Sequence, residues 1–144
     1  MSDALSMVEV FDAPRELVFR NWIEPDHVQV WFAPDGFTVT HCEIDARPGG
    51  RWRVDYRSET GDAFVERGEF QEVVYPERLV FSFTRETGSG RPHLTSSVTV
   101  TFVDKGAKTE VTFRQTGFAS AKERDENVEG WQECFRKLET HIGH

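Results

Sequence analysis

Cysteine, methionine and tyrosine each occur only twice in the 144 residues. No apolar run approaches the ~20 residues that a membrane-spanning helix needs. Cys42 and Cys134 lie far apart and form no C-x-x-C pair, which excludes a disulfide scaffold and a structural zinc site of that kind. Such sparse cysteine points to a reduced cytoplasm. No basic-then-apolar leader opens the chain. Basic residues are outnumbered, 17 Lys and Arg against 25 Asp and Glu, for a net charge of -8. The densest basic stretch, Arg47 to Arg57, alternates with apolar residues and reads as a solvated sheet face. Nucleic acid and anionic membrane surfaces are therefore not expected partners. Internal repeats, low-complexity tracts and linkers are also missing. No G-x-S-x-G elbow is present, and Gly88-Ser89-Gly90 lacks the lysine and helix of a phosphate loop. His41, Cys42 and Glu43 alternate across a strand, which is wrong for shared metal ligation, and His141 and His144 sit at the chain end. No catalytic residue, metal or cofactor is assigned.

What the chain does have is aromatic: 12 Phe and 4 Trp, with 38% apolar residues overall. That excludes disorder. The length predicts one domain across residues 1–144, large enough for a full core without a metal or disulfide.

The apolar pattern orders the elements. Met1 to Ser6 is expected to fray, and Met7 to Phe11 reads as a first strand. A helix is predicted after Asp12-Ala13-Pro14, with Pro at its first turn, Asp as cap, and Leu17, Val18, Trp22 and Ile23 as its apolar stripe. Pro25 should end it, and a second short helix should run from Asp26 to Phe32. The period then changes from 3.6 to 2. Strands are predicted over Phe37 to Asp45, Arg51 to Ser58 and Ala63 to Tyr75, with a bulge near Gly68. Three further strands carry Leu79, Phe81 and Phe83; then Val98, Val100 and Phe102; then Val111 and Phe113. A Gly-rich loop, Glu86 to His93, separates the first two of these. Ser120 and Glu123 fit a capping box, and Val128, Trp131, Phe135, Leu138 and Ile142 give one stripe of a long last helix. Gly130 stands inside it, where it costs roughly 1 kcal/mol relative to Ala.

The fold class is therefore α+β. A curved antiparallel sheet of six to seven strands, with two short helices after strand 1, wraps around a long C-terminal helix. One helix cannot fill the whole concave face, so the remainder holds packed aromatics or a cavity.

The run from Phe11 through Asp12-Ala13-Pro14-Arg15-Glu16-Leu17-Val18 to Phe19 resembles the opening of the SRPBCC (START-like, helix-grip) superfamily. More narrowly, it resembles the branch named after the activator of heat-shock protein 90 ATPase. Trp31-Phe32-Ala33-Pro34, Cys42 through Asp45-Ala46-Arg47-Pro48-Gly49-Gly50 to Trp52, Pro76 to Phe81, Thr99 to Phe102 and Glu129-Gly130-Trp131 follow in the family's order. The resemblance implies a helix-grip fold, usually with a cavity. Its members include lipid and hormone carriers, cyclases and aromatases, and co-chaperones, and fold alone does not choose among them. The co-chaperone that names the branch has a further N-terminal domain, for which 144 residues leave no room, so heat-shock protein 90 activation is not expected.

With that fold, the candidate cavity lining is Trp31, His41, Trp52, Val54, Tyr56, Phe81, Phe83, Val98, Val100, Phe113, Gln115, Trp131 and Phe135. Trp31 and Trp131 are the candidates for its mouth, and Tyr56 and Gln115 would orient a ligand. Glycines 49 and 50 are expected to supply positive φ, with Asp45 pairing with Arg47 or accepting turn amides. The leading expectation is a module binding a small hydrophobic or aromatic molecule. A second is a protein-partner module, a chaperone accessory or homodimer, which needs an exposed apolar patch among Phe32, Phe37, Phe64 and Phe118. A third is a cyclase-, aromatase- or hydrolase-type enzyme, which needs His41, Glu43, Glu66 or Tyr56 in the cavity as an acid–base group.

Overall fold

The computed structural model describes residues 3–87 and 92–143. The chain runs β1 (Asp3–Phe11), α1 (Arg15–Arg20), α2 (Pro25–Trp31), β2 (Phe37–Ile44), β3 (Arg51–Ser58), β4 (Ala63–Val74), β5 (Arg78–Thr87), β6 (Pro92–Lys105), β7 (Lys108–Phe118) and α3 (Ala121–Gly143). The seven strands form one antiparallel sheet in the order β1-β7-β6-β5-β4-β3-β2. Strands β2 to β7 are sequential neighbours. β1 alone pairs out of order, with β7, so β1 and β2 lie at opposite edges. The two short helices carry the chain between those edges, α1 packing on β6 and β7 and α2 on β2 and α3. This is the expected α+β helix grip, an open curved sheet holding one long helix.

Alternation decides the faces. Trp52, Val54 and Tyr56 on β3, Leu79, Phe81 and Phe83 on β5, Val98, Val100 and Phe102 on β6 and Val111 and Phe113 on β7 are all buried, while Arg51, Arg53 and Arg57 are exposed. The stripe of α3 seats Trp131, Phe135 and Leu138 in the same core. Trp22, Trp31, Phe102, Phe113 and Phe135 meet there with ring centroids 4.7 to 6.3 Å apart. Each such pair adds about 0.5–1.5 kcal/mol beyond its buried area.

Several boundaries differ from the sequence reading, each for a local reason. β1 begins at Asp3, because its residues pair with β7 up to Phe118; Met1 and Ser2 lie outside the described residues, as do residues 88–91 of the Gly-rich loop and His144. Asp12 caps nothing: Pro14 holds the N-cap position of α1 and no side chain caps it. Pro25 opens α2 at its first turn, where its missing N–H costs no bond. α1 has already ended at Arg20, and Asn21 Nδ2 donates to the Leu17 carbonyl 3.0 Å away. Glu123 Oε1 accepts from the Ala119 amide at 3.0 Å and Ser120 Oγ from the Glu123 amide at 3.2 Å, so the capping box closes one residue early. Gly49 has φ +84°, but Gly50 does not; a Cβ there would sit 2.0 Å from the Asp45 carbonyl oxygen. The Asp45–Arg47 pair forms, at 2.8 Å, on the surface.

The β4 irregularity falls between Phe70 and Glu72, not at Gly68. Gly68 has another task. A Cβ added there would lie 1.8 Å from the Ser82 carbonyl oxygen and 2.6 Å from Trp52 Nε1, and that indole N–H donates to the same carbonyl at 3.2 Å. Gly68→Ala must push β4 from β5 and break this bond. Urea unfolding is expected to show a loss of about 3 kcal/mol, the upper end of overpacking costs; a loss under about 0.5 kcal/mol would contradict the close approach.

Candidate functional site

α3 is about 35 Å long and packs chiefly against β1, β7 and α2. Its N-terminal half therefore stands off the β3–β5 side of the sheet. The space between is a cavity of about 270 Å³. The sheet contributes Tyr56 from β3, Phe64 and Glu66 from β4 and Arg85 from β5. Phe32, Pro34 and Phe37 come from the connection after α2. The helix contributes Glu123, Glu126, Asn127, Gly130, Trp131 and Cys134. Glu123, Asn127, Gly130 and Cys134 are spaced by four, three and four, so they form one stripe of α3 beside its core-facing stripe.

A charged network forms the sheet side. Glu66 and Arg85 are directly opposed in the β4–β5 register. Glu66 Oε2 accepts from Arg85 Nε at 2.7 Å and from the Tyr56 hydroxyl at 2.6 Å. Glu66 is 4% exposed, so its charge needs both donors. Burial would weaken the Arg85 guanidinium's hold on its proton, but Glu66 and Tyr56 outweigh it and the group is held further up. Burial, then the Glu66 charge, pushes the Tyr56 phenol well above its usual range. Burial pushes up the Cys134 thiol as well, and that of Cys42 to about 11. Neither thiol is activated for nucleophilic chemistry.

The connection over the cavity is pinned. Lys137 Nζ donates to the Ala33 carbonyl at 2.6 Å, and the Asp35 amide donates to Glu133 Oε1 at 2.9 Å. Asn127 Nδ2 donates to the Glu123 carbonyl at 2.8 Å, while its Oδ1 is buried without a partner. A Cβ added at Gly130 meets nothing within 4 Å.

Of the residues expected to line a cavity, Tyr56 and Trp131 do so. The rest lie elsewhere. Phe83, Val98, Val100, Phe113 and Phe135 are packed core. Trp52, Val54 and Phe81 border a gap of about 20 Å³, room for a single water, and Trp52 also reaches a charged depression beside Arg53 and Arg67, away from the cavity. Gln115 is fully buried, but its bonds stay within the protein: it accepts from Trp131 Nε1 at 2.8 Å and donates to Ser96 Oγ at 2.8 Å. Trp31 is not at a mouth; it is fully buried and donates to the Asn21 carbonyl at 3.0 Å. Trp131 is likewise buried, a wall rather than a rim. His41 faces solvent, 3.3 Å from Glu43, because a bulge between Val39 and His41 flips the strand's parity. The four phenylalanines weighed as a docking patch form none: Phe32 and Phe118 are buried, and Phe37 and Phe64 are half-buried against Tyr56. His141 pairs with His27 of α2, nitrogen to nitrogen at 2.9 Å. Among the described residues no three His, Cys, Asp or Glu side chains cluster to hold a metal, and no helix is long and apolar enough to cross a membrane.

No expectation from sequence includes Arg85, although it continues the inward alternation of Leu79, Phe81 and Phe83. The second stripe of α3 was equally readable, as small and polar residues beside the apolar one.

A curved sheet gripping one helix, with a part-polar cavity between them, defines a START-like domain. Residues 12–143 match the model of the activator of Hsp90 ATPase homolog 1-like family, and the chain belongs to that family. Its fold is similar to that of an activator-type protein from Silicibacter pomeroyi, at 19% identity over 97% of both chains with a TM-score of 0.88. A protein from Chromobacterium violaceum is 24% identical over 96% of both chains, TM-score 0.85. One from Mycobacterium smegmatis is 20% identical over 96% of this chain and 90% of its own, TM-score 0.81. At these identities the likeness is one of fold. No functionally curated protein matches the chain.

Two measurements check this geometry. In a Tyr75→Phe variant Tyr56 is the remaining tyrosine, and its phenol should show no tyrosinate absorbance at its usual value of 10 while the fold persists. A phenol raised on folding stabilises the protein below that value, so stability should fall as pH climbs above it. A normal titration would contradict the buried network. Gly130→Ala should stabilise the protein by about 1 kcal/mol, the helix propensity gain with no steric cost. Destabilisation on thermal melting would show that the space is not open.

Proposed function

We propose that this chain binds a small hydrophobic or aromatic molecule in the cavity between β3–β5 and α3. The observation that carries the reading is the open stripe of α3. Gly130 forgoes helix stability where a side chain would have room, and the space it leaves faces the rings of Phe32, Phe37, Tyr56, Phe64 and Trp131. At about 270 Å³, the cavity is just below the usual ligand-site range of about 300–1,000 Å³, which suits a molecule of one or two rings. Its polar lining is larger than a purely apolar carrier needs, so orientation is part of binding.

The acid–base candidates are not placed for catalysis. Tyr56 keeps its proton on Glu66, Glu66 is held by Arg85, and His41 and Glu43 face away from the cavity.

A thermal-shift screen of one- and two-ring aromatic compounds tests the proposal. A compound that binds only the folded state at one hundred times its dissociation constant adds about 2.7 kcal/mol. That shift should disappear in Gly130→Leu, whose side chain occupies the cavity. Equal shifts in the wild type and Gly130→Leu would place binding elsewhere, and an absence of hits across the screen would count against the proposal.

A further inference from the structure

We infer that the cavity selects an aromatic ligand bearing a cation, such as a protonated amine, over a neutral or anionic one. This rests on the ligand-binding reading above and adds the chemistry of the ligand.

Three observations converge. The first is the charge around the cavity. Among the described lining residues, the carboxylates of Glu66, Glu123 and Glu126 face one guanidinium, Arg85. That guanidinium is committed to Glu66 at 2.7 Å and to the face of Phe83, 5.5 Å from the ring centroid. A ligand carboxylate would have to compete with Glu66 for Arg85 after passing Glu123 and Glu126. A cation would meet the opposite field.

The second is hydrogen-bonding polarity. Asn127 is 7% exposed and lines the cavity. Its donor is used on the Glu123 carbonyl, and its acceptor Oδ1 is buried and unpartnered. The Tyr56 hydroxyl proton is already given to Glu66. Buried polar atoms are rarely left unpaired, and the one unpaired among the described lining residues, Asn127 Oδ1, is an acceptor. It suits a ligand that donates.

The third is the wall. Trp131, Tyr56, Phe37 and Phe64 present rings to the same space, with Tyr56 and Phe64 stacked at 5.6 Å and Phe37 edge-on to both. Ring faces attract cations, most strongly where water is excluded. Glu126 is exposed and has neither an ion pair nor a hydrogen bond among the described residues, so it is free to attract a cation to the entrance.

The test is isothermal titration of the full chain with three probes of one shape: naphthylmethylamine, naphthylmethanol and naphthoate. The amine should bind about tenfold more tightly than the alcohol, the size of one partly desolvated cation–π contact, with naphthoate weakest. Added salt should weaken the amine alone. Glu126→Gln changes a solvent-facing side chain and should not disturb folding. It should reduce amine affinity about threefold, the scale of a surface ion pair, and narrow the amine's advantage over the alcohol by the same factor. Alcohol or naphthoate binding as tightly as the amine would overturn the inference while leaving the cavity reading intact. An amine affinity unmoved by Glu126→Gln and by salt would also overturn it. If none of the three probes binds, both readings fall.

Discussion

The hydrogen bond from Trp131 Nε1 to Gln115 Oε1, 2.8 Å long and buried, fixes where the long helix sits on the sheet. Gln115 is held in turn by Ser96 on the neighbouring strand. The Trp131 ring packs on Phe32, Phe83, Phe113 and Phe135 at 4.5 to 6.2 Å. A buried indole N–H must be paired, or it costs about 1–3 kcal/mol. The helix therefore cannot slide or rotate without orphaning both groups. With Trp131 anchored over β6 and β7, the adjacent stripe of α3 faces β3–β5 across a gap, and one residue before the anchor stands Gly130. The cavity follows from the position of this anchor.

The second constraint is the opposite pair Glu66 and Arg85. Burying a carboxylate under a helix is unfavourable unless donors surround it. Arg85 and Tyr56 supply them from the two flanking strands, so β3, β4 and β5 are tied at the same level. Such a network resists filling by apolar packing, because any side chain that covered it would still have to leave its polar atoms satisfied. A water-sized void would lie idle, whereas a space of about 270 Å³ with aromatic walls and an unused amide oxygen can hold a ligand.

The sheet and the long helix were legible in the sequence because their signals are periodic and local. Trp52, Val54 and Tyr56 alternate without interruption, and Trp131, Phe135 and Leu138 keep helical spacing. His41 was not legible, since a single bulge residue reverses inside and outside and leaves no mark in composition. Pro25 signalled a boundary correctly but belonged to the helix after it. The cavity was legible as a consequence of the fold but not as a place. Its location depends on which half of the sheet the helix covers, and that is set by the contact between Trp131 and Gln115. Alternation therefore marks inner-face residues as a class without separating lining from core, and most of them, Phe83, Val100 and Phe113 among them, are solid core. Glu66 is visible in the sequence as a candidate acid–base group, but its partner Arg85 is not, because only strand register brings the two opposite each other.

The most direct test of a ligand site beside Gly130 is native mass spectrometry of the protein purified from its own host, run beside a Gly130→Trp variant prepared identically. A small non-covalent mass is expected on the wild-type protein and not on the variant. The same bound mass on both, or a bare protein mass for the wild type, would contradict that site.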